Sequence, residues 1–185
     1  LVTLLILYIV YENHTRNKEL LKYAQTDALT GLYNKETTEQ LTDELLSEDE
    51  NKYHAFLILD VDCFKQINDI YGHAVGDIVL QKFGKLLKGT FREGDILGRI
   101  GGDEFGVIMK NIQTKDIAMK KAEELLAKTQ AYKIDELKGN NISISIGIST
   151  APQDGDCYMD LYKRADQALY QAKRSGKARV CNYFS

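Results

Sequence analysis

Carboxylates set beside glycines are the residues of this chain with the clearest means to do chemistry. In residues 98–109 an apolar run ends in Gly101 and Gly102, the acids Asp103 and Glu104 follow, and a second apolar run carries Phe105, Val107 and Met109. A second acidic pair, Asp60 and Asp62, closes the apolar run 55–59. Carboxylate oxygens with no nearby His or Cys are hard ligands that suit Mg²⁺ or Mn²⁺ over zinc, and magnesium usually arrives with the phosphates of a substrate. If the strand end meets the glycine tip, Asp60 and Asp103, with Glu104 as a further candidate, make a metal site suited to in-line attack on phosphorus. Each feature also has a plainer reading. A Gly-Gly-Asp-Glu run is often a solvated turn, and Asp62 sits where it could cap a helix starting near Phe64. Asp77 suits the dipole of a helix start, and Lys173, Arg174 and Lys177 suit that of a helix end. Arg92 and Asp95 read alone as a surface ion pair.

The elements that must position these groups follow from periodicity. Residues 55–59 are apolar on both faces, as expected of a strand inside a covered sheet. Two glycines between strand-like runs predict a tight hairpin whose turn uses positive φ. Strand parity predicts that Asp103 and Glu104 diverge unless the turn re-aims one. Asn34 is expected to cap a helix over 35–46 that buries Leu41 and Leu45. A short helix spans 64–71, and another follows Gly76 and Asp77, with Val75, Ile78, Val79, Phe83, Leu86 and Leu87 inward. A helix over 113–130 turns Ile117, Ala118, Ala122, Leu125 and Leu126 inward. Ile142, Ile144, Ile146 and Ile148 alternate with small residues, so that strand has one face open to a close neighbour. A helix over 156–173 and a last strand over 178–184 complete the chain. The fold class is α/β (α+β): a βαββαβ-containing, antiparallel-centred sheet flanked by helices, which the hairpin and crossover order places on one side.

Composition narrows the partners. The 185 residues carry 44% hydrophobic and 28% charged side chains, enough for one compact domain and an appendage. A net charge of −3 argues against a nucleic-acid polymer as partner. Three widely spaced cysteines, Cys63, Cys157 and Cys181, fit a reducing compartment. Residues 1–11 are nearly all apolar and give way abruptly to Glu12, Asn13, His14, Arg16 and Lys18. Residues 1–24 are accordingly read as an N-terminal helix, either the end of a transmembrane span with its basic residues on the cytoplasmic side or a dimer-forming helix. Residues 25–185 form the folded domain.

Taken together, the motifs resemble the GGDEF domain, the catalytic module of diguanylate cyclases. Residues 27–34 resemble the family's D-x-L-T-G-L-x-N opening. Residues 60–69, then Gly72-His73 and Gly76-Asp77, resemble its D-x-D-x-F-K-x-x-N-D, G-H, G-D block, and residues 99–105 its signature. Residues 165–173 resemble its A-D-x-A-L-Y-x-A-K helix. The resemblance implies a palm-like fold that condenses two GTP into cyclic di-GMP and two pyrophosphates. It implies two Mg²⁺ (or Mn²⁺) per site on Asp60, Asp103, Glu104 and the Val61 carbonyl, with Asp103, Glu104 and Lys65 catalytic. Whether Glu104 binds metal or activates the 3′-hydroxyl stays open. Asn68 and Asp77 would read guanine, since a carboxylate accepts from the paired donors that adenine lacks. The Phe64 backbone, Lys65, Gly101, Gly102, Lys173 and Lys177 would hold the rest of GTP.

Lys177 stands where the family often has Arg, Ala178 where Asn is usual, and Cys63 where an aromatic is common. Arg92 and Asp95 match the family's inhibitory R-x-x-D site, where cyclic di-GMP would bind. One GTP per domain further implies a homodimer for catalysis. An N-terminal sensor or membrane segment beyond this chain would hold the domain at the cytoplasmic face of a bacterial inner membrane. A degenerate nucleotide-binding sensor and a class III nucleotidyl cyclase are the competing readings.

Overall fold

A computed structural model describes residues 24–48 and 52–183, with the single residue Glu12. The expected helix over 1–24 therefore lies almost wholly outside the described residues. Among the described residues, no helix is long and apolar enough to cross a membrane.

The elements run α1 (Lys35–Glu48), β1 (His54–Val61), α2 (Phe64–Tyr71), α3 (His73–Thr90), β2 (Ile96–Arg99), β3 (Glu104–Met109), α4 (Lys115–Ala131), a 3₁₀ turn (Asp135–Leu137), β4 (Ile144–Ala151), α5 (Tyr158–Arg174) and β5 (Val180–Asn182). They build a five-stranded sheet in the order β2-β3-β1-β4-β5. The central strand β1 is buried along its whole length and pairs antiparallel with β3 and β4, while β5 joins β4 in parallel.

Helices cover both faces of this sheet rather than one. Leu57, Leu59 and Val61 pack with Val79, Phe83 and Leu87 of α3 and with Ala118, Ala122 and Leu125 of α4. Phe56 and Ile58, of opposite parity, pack with Leu46 of α1 and with Tyr158, Leu161, Ala165 and Leu169 of α5. A strand apolar on both faces requires this, because an uncovered face would leave large side chains in water. Phe83 and Phe105 meet edge to face at 4.9 Å, tying α3 to the hairpin.

The small face of β4 does admit a close neighbour, and that neighbour is α5. A Cβ on Gly147 would lie 2.1 Å from the Ala165 carbonyl oxygen and 2.3 Å from the Leu169 nitrogen, both main-chain atoms. Ser149 Oγ donates to the Leu161 carbonyl at 2.8 Å, so the close approach is also hydrogen-bonded. This contact fixes where the basic end of α5 arrives.

Three elements depart from expectation. In α1 the buried residues are Thr37, Thr38, Thr42 and Leu46, whereas Leu41 and Leu45 are only half-buried. Thr38 and Thr42 can be buried because their hydroxyls donate to the carbonyls of Asn34 and Thr38 (2.7 and 2.6 Å). Asn34 does cap this helix, accepting from the Thr37 amide at 2.9 Å. Helix α3 starts at His73, so Gly76 and Asp77 lie within it and Asp77 is past its first turn. The terminator of α2 is Gly72, at φ +86. The last strand spans only three residues.

Candidate active site

Strand pairing alone brings the two acidic motifs together. Asp60 lies opposite Glu104 in the β1–β3 register, and the Val61 amide donates to the Asp103 carbonyl at 3.2 Å. The tip is closed by the Ile100 and Gly101 amides, both donating to the Glu104 carbonyl (3.0 and 3.2 Å). Neither tip glycine has positive φ, contrary to the expected turn geometry. A Cβ at 101 would lie 2.8 Å from Glu104 Oε2, the movable end of that side chain, so glycine there leaves Glu104 room at the tip. Gly102 leaves open space at the tip.

Electrostatics show how crowded this corner is. Burial pushes the Asp60 carboxyl above its ordinary value, and Asp103 and Asp62 add to this, against the lowering effect of Lys173. Burial likewise raises Glu104, followed by repulsion from Asp60 and, more weakly, Asp103 and Asp166. The turn thus leaves both of its acids within electrostatic range of Asp60, despite their opposite parity. Lys173 Nζ donates to Asp60 Oδ2 at 2.7 Å, which places one cation among three acids. An oxygen-only donor set with surplus negative charge and an ammonium already drawn in suits a hard divalent cation such as Mg²⁺ or Mn²⁺. The three carboxylates do not form a closed cage. Among the described residues, the one group of three with ligand atoms within 4.8 Å is Asp156, Cys157 and Asp160, at the start of α5. An incomplete protein cage is the usual arrangement for magnesium, which keeps positions for water and phosphate.

Phe64 and Lys65 open α2, where the first amides of a helix lack carbonyl partners and favour anions. Lys177 Nζ reaches the same corner and donates to Cys63 Sγ at 3.0 Å. One turn along α2, Asn68 Oδ1 would lie only 1.9 Å from a Cβ on Gly76, which puts Asn68 against the residue preceding Asp77. Asp77 itself is exposed.

Arg92 and Asp95 stand apart, at the opposite end of β2 from the tip. Arg92 Nε donates to Asp95 Oδ1 at 3.1 Å, and the guanidinium also donates to the Lys110 carbonyl. The Lys110 amide donates to the same Asp95 oxygen at 3.1 Å. The Asp95 side chain is buried and Arg92 exposed, beside a cleft of about 500 Å³ that includes Ile117, Lys120 and Lys121.

Sequence reasoning gave no role to two residues that organise the tip. Arg99 donates through Nε and Nη2 to the Gly102 carbonyl (3.1 and 2.7 Å) and through Nη1 to both oxygens of Asp27 (3.2 Å each). Burial alone would raise Asp27, but hydrogen bonds from Thr30 and Arg99 outweigh it and hold the carboxyl below its ordinary value. No local pattern links positions 27 and 99. The one usable signal is that each lies inside one of the family-like motifs, with unlike charge. Asp62 does not cap α2: the N-cap position is Cys63, with no side-chain cap bond, and the Asp62 carboxylate turns instead to Ser143, Ser145 and the Ala178 amide.

Comparison with known proteins places this arrangement. The family model described as "Diguanylate cyclase, GGDEF domain" matches residues 24–179. Diguanylate cyclase A of Treponema denticola is 37% identical over 170 residues, covering 89% of this chain and 46% of the relative. The response regulator PleD of Caulobacter vibrioides is also 37% identical, over 92% of this chain and 39% of its own length. The chain thus spans about half or less of these two relatives. The coiled coil and GGDEF domain of DgcB from Caulobacter crescentus, solved with c-di-GMP, superposes with a TM-score of 0.86 at 25% identity, covering 95% of this chain and 94% of that one. The isolated GGDEF domain of TpbB from Pseudomonas aeruginosa gives 0.81 at 33% identity, covering 86% and 94%.

Proposed function

Because the chain belongs to the diguanylate cyclase GGDEF-domain family, we propose that it condenses two GTP into cyclic di-GMP and two pyrophosphates. In each half-reaction the 3′-hydroxyl oxygen of one GTP attacks the α-phosphorus of the other, and the bond to the β-phosphate breaks as pyrophosphate leaves. The observation that carries this reading is the register of Asp60 opposite Glu104 with Lys173 drawn between strand and helix end.

In this reading residues 25–185 are the catalytic unit. Asp60, Asp103, Glu104 and the Val61 carbonyl would hold two Mg²⁺ or Mn²⁺ ions. When bound, the ions neutralise charge on the triphosphate and acidify the attacking hydroxyl. Asn68 and Asp77 select guanine through its N1 and N2 donors. The α2 amides at Phe64, with Lys65, Lys173 and Lys177, hold the phosphates, and the open tip at Gly101 and Gly102 lets the nucleotide approach the backbone. Two bonds and one GTP per domain require two domains facing across a two-fold axis, held near the cytoplasmic face of the inner membrane by what lies upstream. Cyclic di-GMP bound by Arg92 and Asp95 lowers the rate.

Incubation with Mg²⁺ and GTP, followed by chromatography, tests the reading. Cyclic di-GMP formed by the wild type and lost in Asp103→Ala supports it. Nucleotide binding without product would mark a sensor domain, and a cyclic mononucleotide would mark the other cyclase class. Arg92→Ala is expected to abolish product inhibition while leaving the initial rate near wild type. Unchanged inhibition would remove that site from the scheme.

A further inference from the structure

A buried carboxylate next to the phosphate corner has no part in the scheme so far. Asp62 is 6% exposed, and each of its oxygens is engaged. Ser145 Oγ donates to Oδ1 at 2.7 Å, while Ser143 Oγ and the Ala178 amide donate to Oδ2 at 2.8 and 3.1 Å. The Asp62 amide in turn donates to the Ser143 carbonyl at 2.9 Å. These partners are neutral and come from the start of β4 and the turn after α5. A carboxylate buried among neutral donors costs desolvation that hydrogen bonds only partly offset.

The turn it grips is unusual. Gly176, Lys177 and Ala178 all have positive φ (+111, +61 and +48), two of them without the freedom of glycine. A non-glycine residue in the left-handed region is strained and persists where the surroundings over-determine it. Here the surroundings are named. The Lys177 amide donates to the Ala172 carbonyl at 3.0 Å, the Ala178 amide is held by Asp62, and the Lys177 ammonium is held by Cys63, the next residue after Asp62. The β1–α2 junction thus grasps both the main chain and the side chain of this turn.

Building on the GTP-binding role given to Lys177 above, we infer that Asp62 is a positioning residue for the triphosphate: through the Ala178 amide it sets the strained turn that aims Lys177 at the start of α2. The readout is equilibrium binding of a ribose-labelled fluorescent GTP with Mg²⁺. Asp62→Ala is expected to weaken binding about tenfold, the size of one charge-assisted hydrogen bond, and Lys177→Ala by a similar factor. The double variant should be no weaker than either single one, because the carboxylate acts through the lysine. Asp62→Asn keeps an acceptor for the Ala178 amide and should bind within about twofold of wild type. In turnover, the loss should fall on KM for GTP rather than kcat.

Losses that multiply in the double variant would overturn the inference, since Asp62 would then act by another route. So would a tenfold loss in a folded Asp62→Asn, which remains informative if Asp62→Ala does not fold. A wild type that binds no labelled GTP overturns the functional reading and this inference together. Wild-type binding with multiplying losses overturns the inference alone.

Discussion

Replacing Arg99 by Ala removes the clamp between the turn that opens the domain and the hairpin tip. Four contacts go at once: two to the Gly102 carbonyl and two to Asp27. A hydrogen bond with one charged partner is worth about 1.5–3 kcal/mol. The Asp27 contacts are long at 3.2 Å, and the two side chains are 16% and 23% exposed, so their share falls toward the surface-pair value of about 1 kcal/mol. Asp27 also keeps its bonds from Thr30, at 2.9 and 2.7 Å. The sum is about 2–3 kcal/mol, or roughly 5–10 °C in Tm for a domain of this size. Thermal unfolding of the wild type, Asp27→Ala, Arg99→Ala and the double variant should give a coupling of about 1 kcal/mol. Cyclase rate should fall further than stability predicts, because Gly102 is released next to Asp103. A loss under about 0.5 kcal/mol together with zero coupling would refute the clamp.

Gly147→Ala drives a methyl into the main chain of α5, which no rotamer change relieves, so a loss of about 3 kcal/mol or more is expected in denaturant unfolding. Gly76→Ala presses on the Asn68 side chain, which can swing away, and more lightly on the Phe64 ring edge at 3.2 Å; stability should change by only about 1 kcal/mol while KM for GTP rises severalfold in steady-state assays. The raised carboxyls predict a pH effect on the metal-free protein. Asp60 and Glu104 hold protons more tightly when folded than when unfolded, so ionising them opposes folding. The destabilisation is absent below their unfolded values, 3.8 and 4.5, and is complete above the higher folded ones. Glu104→Gln should therefore flatten the fall of Tm with rising pH across that window, and an unchanged slope would contradict the assignment.

The frame of this domain was legible because burial leaves periodic marks. The apolar run 55–59 announced a central strand in a covered sheet, although the hairpin and crossover order pointed to helices on one side only and the structure has them on both. The Ile and Ser/Gly alternation before residue 150 announced a strand against which a helix sits close. What periodicity cannot show is a satisfied polar group. The sequence pointed to Leu41 and Leu45 as the buried face of their helix, whereas Thr38 and Thr42 are core residues because their hydroxyls bond to the preceding turn. Gly76 looked like a breaker but is a packing glycine inside a helix, while Gly72 ends the one before it. In the site, strand-end acids and a basic helix end were visible as candidates. Their pairing spans 113 positions, and the Asp27–Arg99 contact spans 72. Contacts at such range belong to the topology and leave no local trace.

The way the chain enters the domain has a mechanical consequence. Tyr33 bridges to Gly98; its amide donates to Leu97, and its carbonyl accepts from Arg99 (3.0 and 2.8 Å). Asn34 reaches back to the Gln25 and Ala24 carbonyls (2.9 and 2.7 Å), and Lys88 pins the Gly31 carbonyl at 2.8 Å. No compliant joint separates residue 24 from the strand that carries the tip. A displacement of residue 24 is therefore passed through hydrogen bonds directly to the strand that carries the tip. If catalysis takes two domains face to face, as proposed above, a displacement at residue 24 bears on how the two tips are placed.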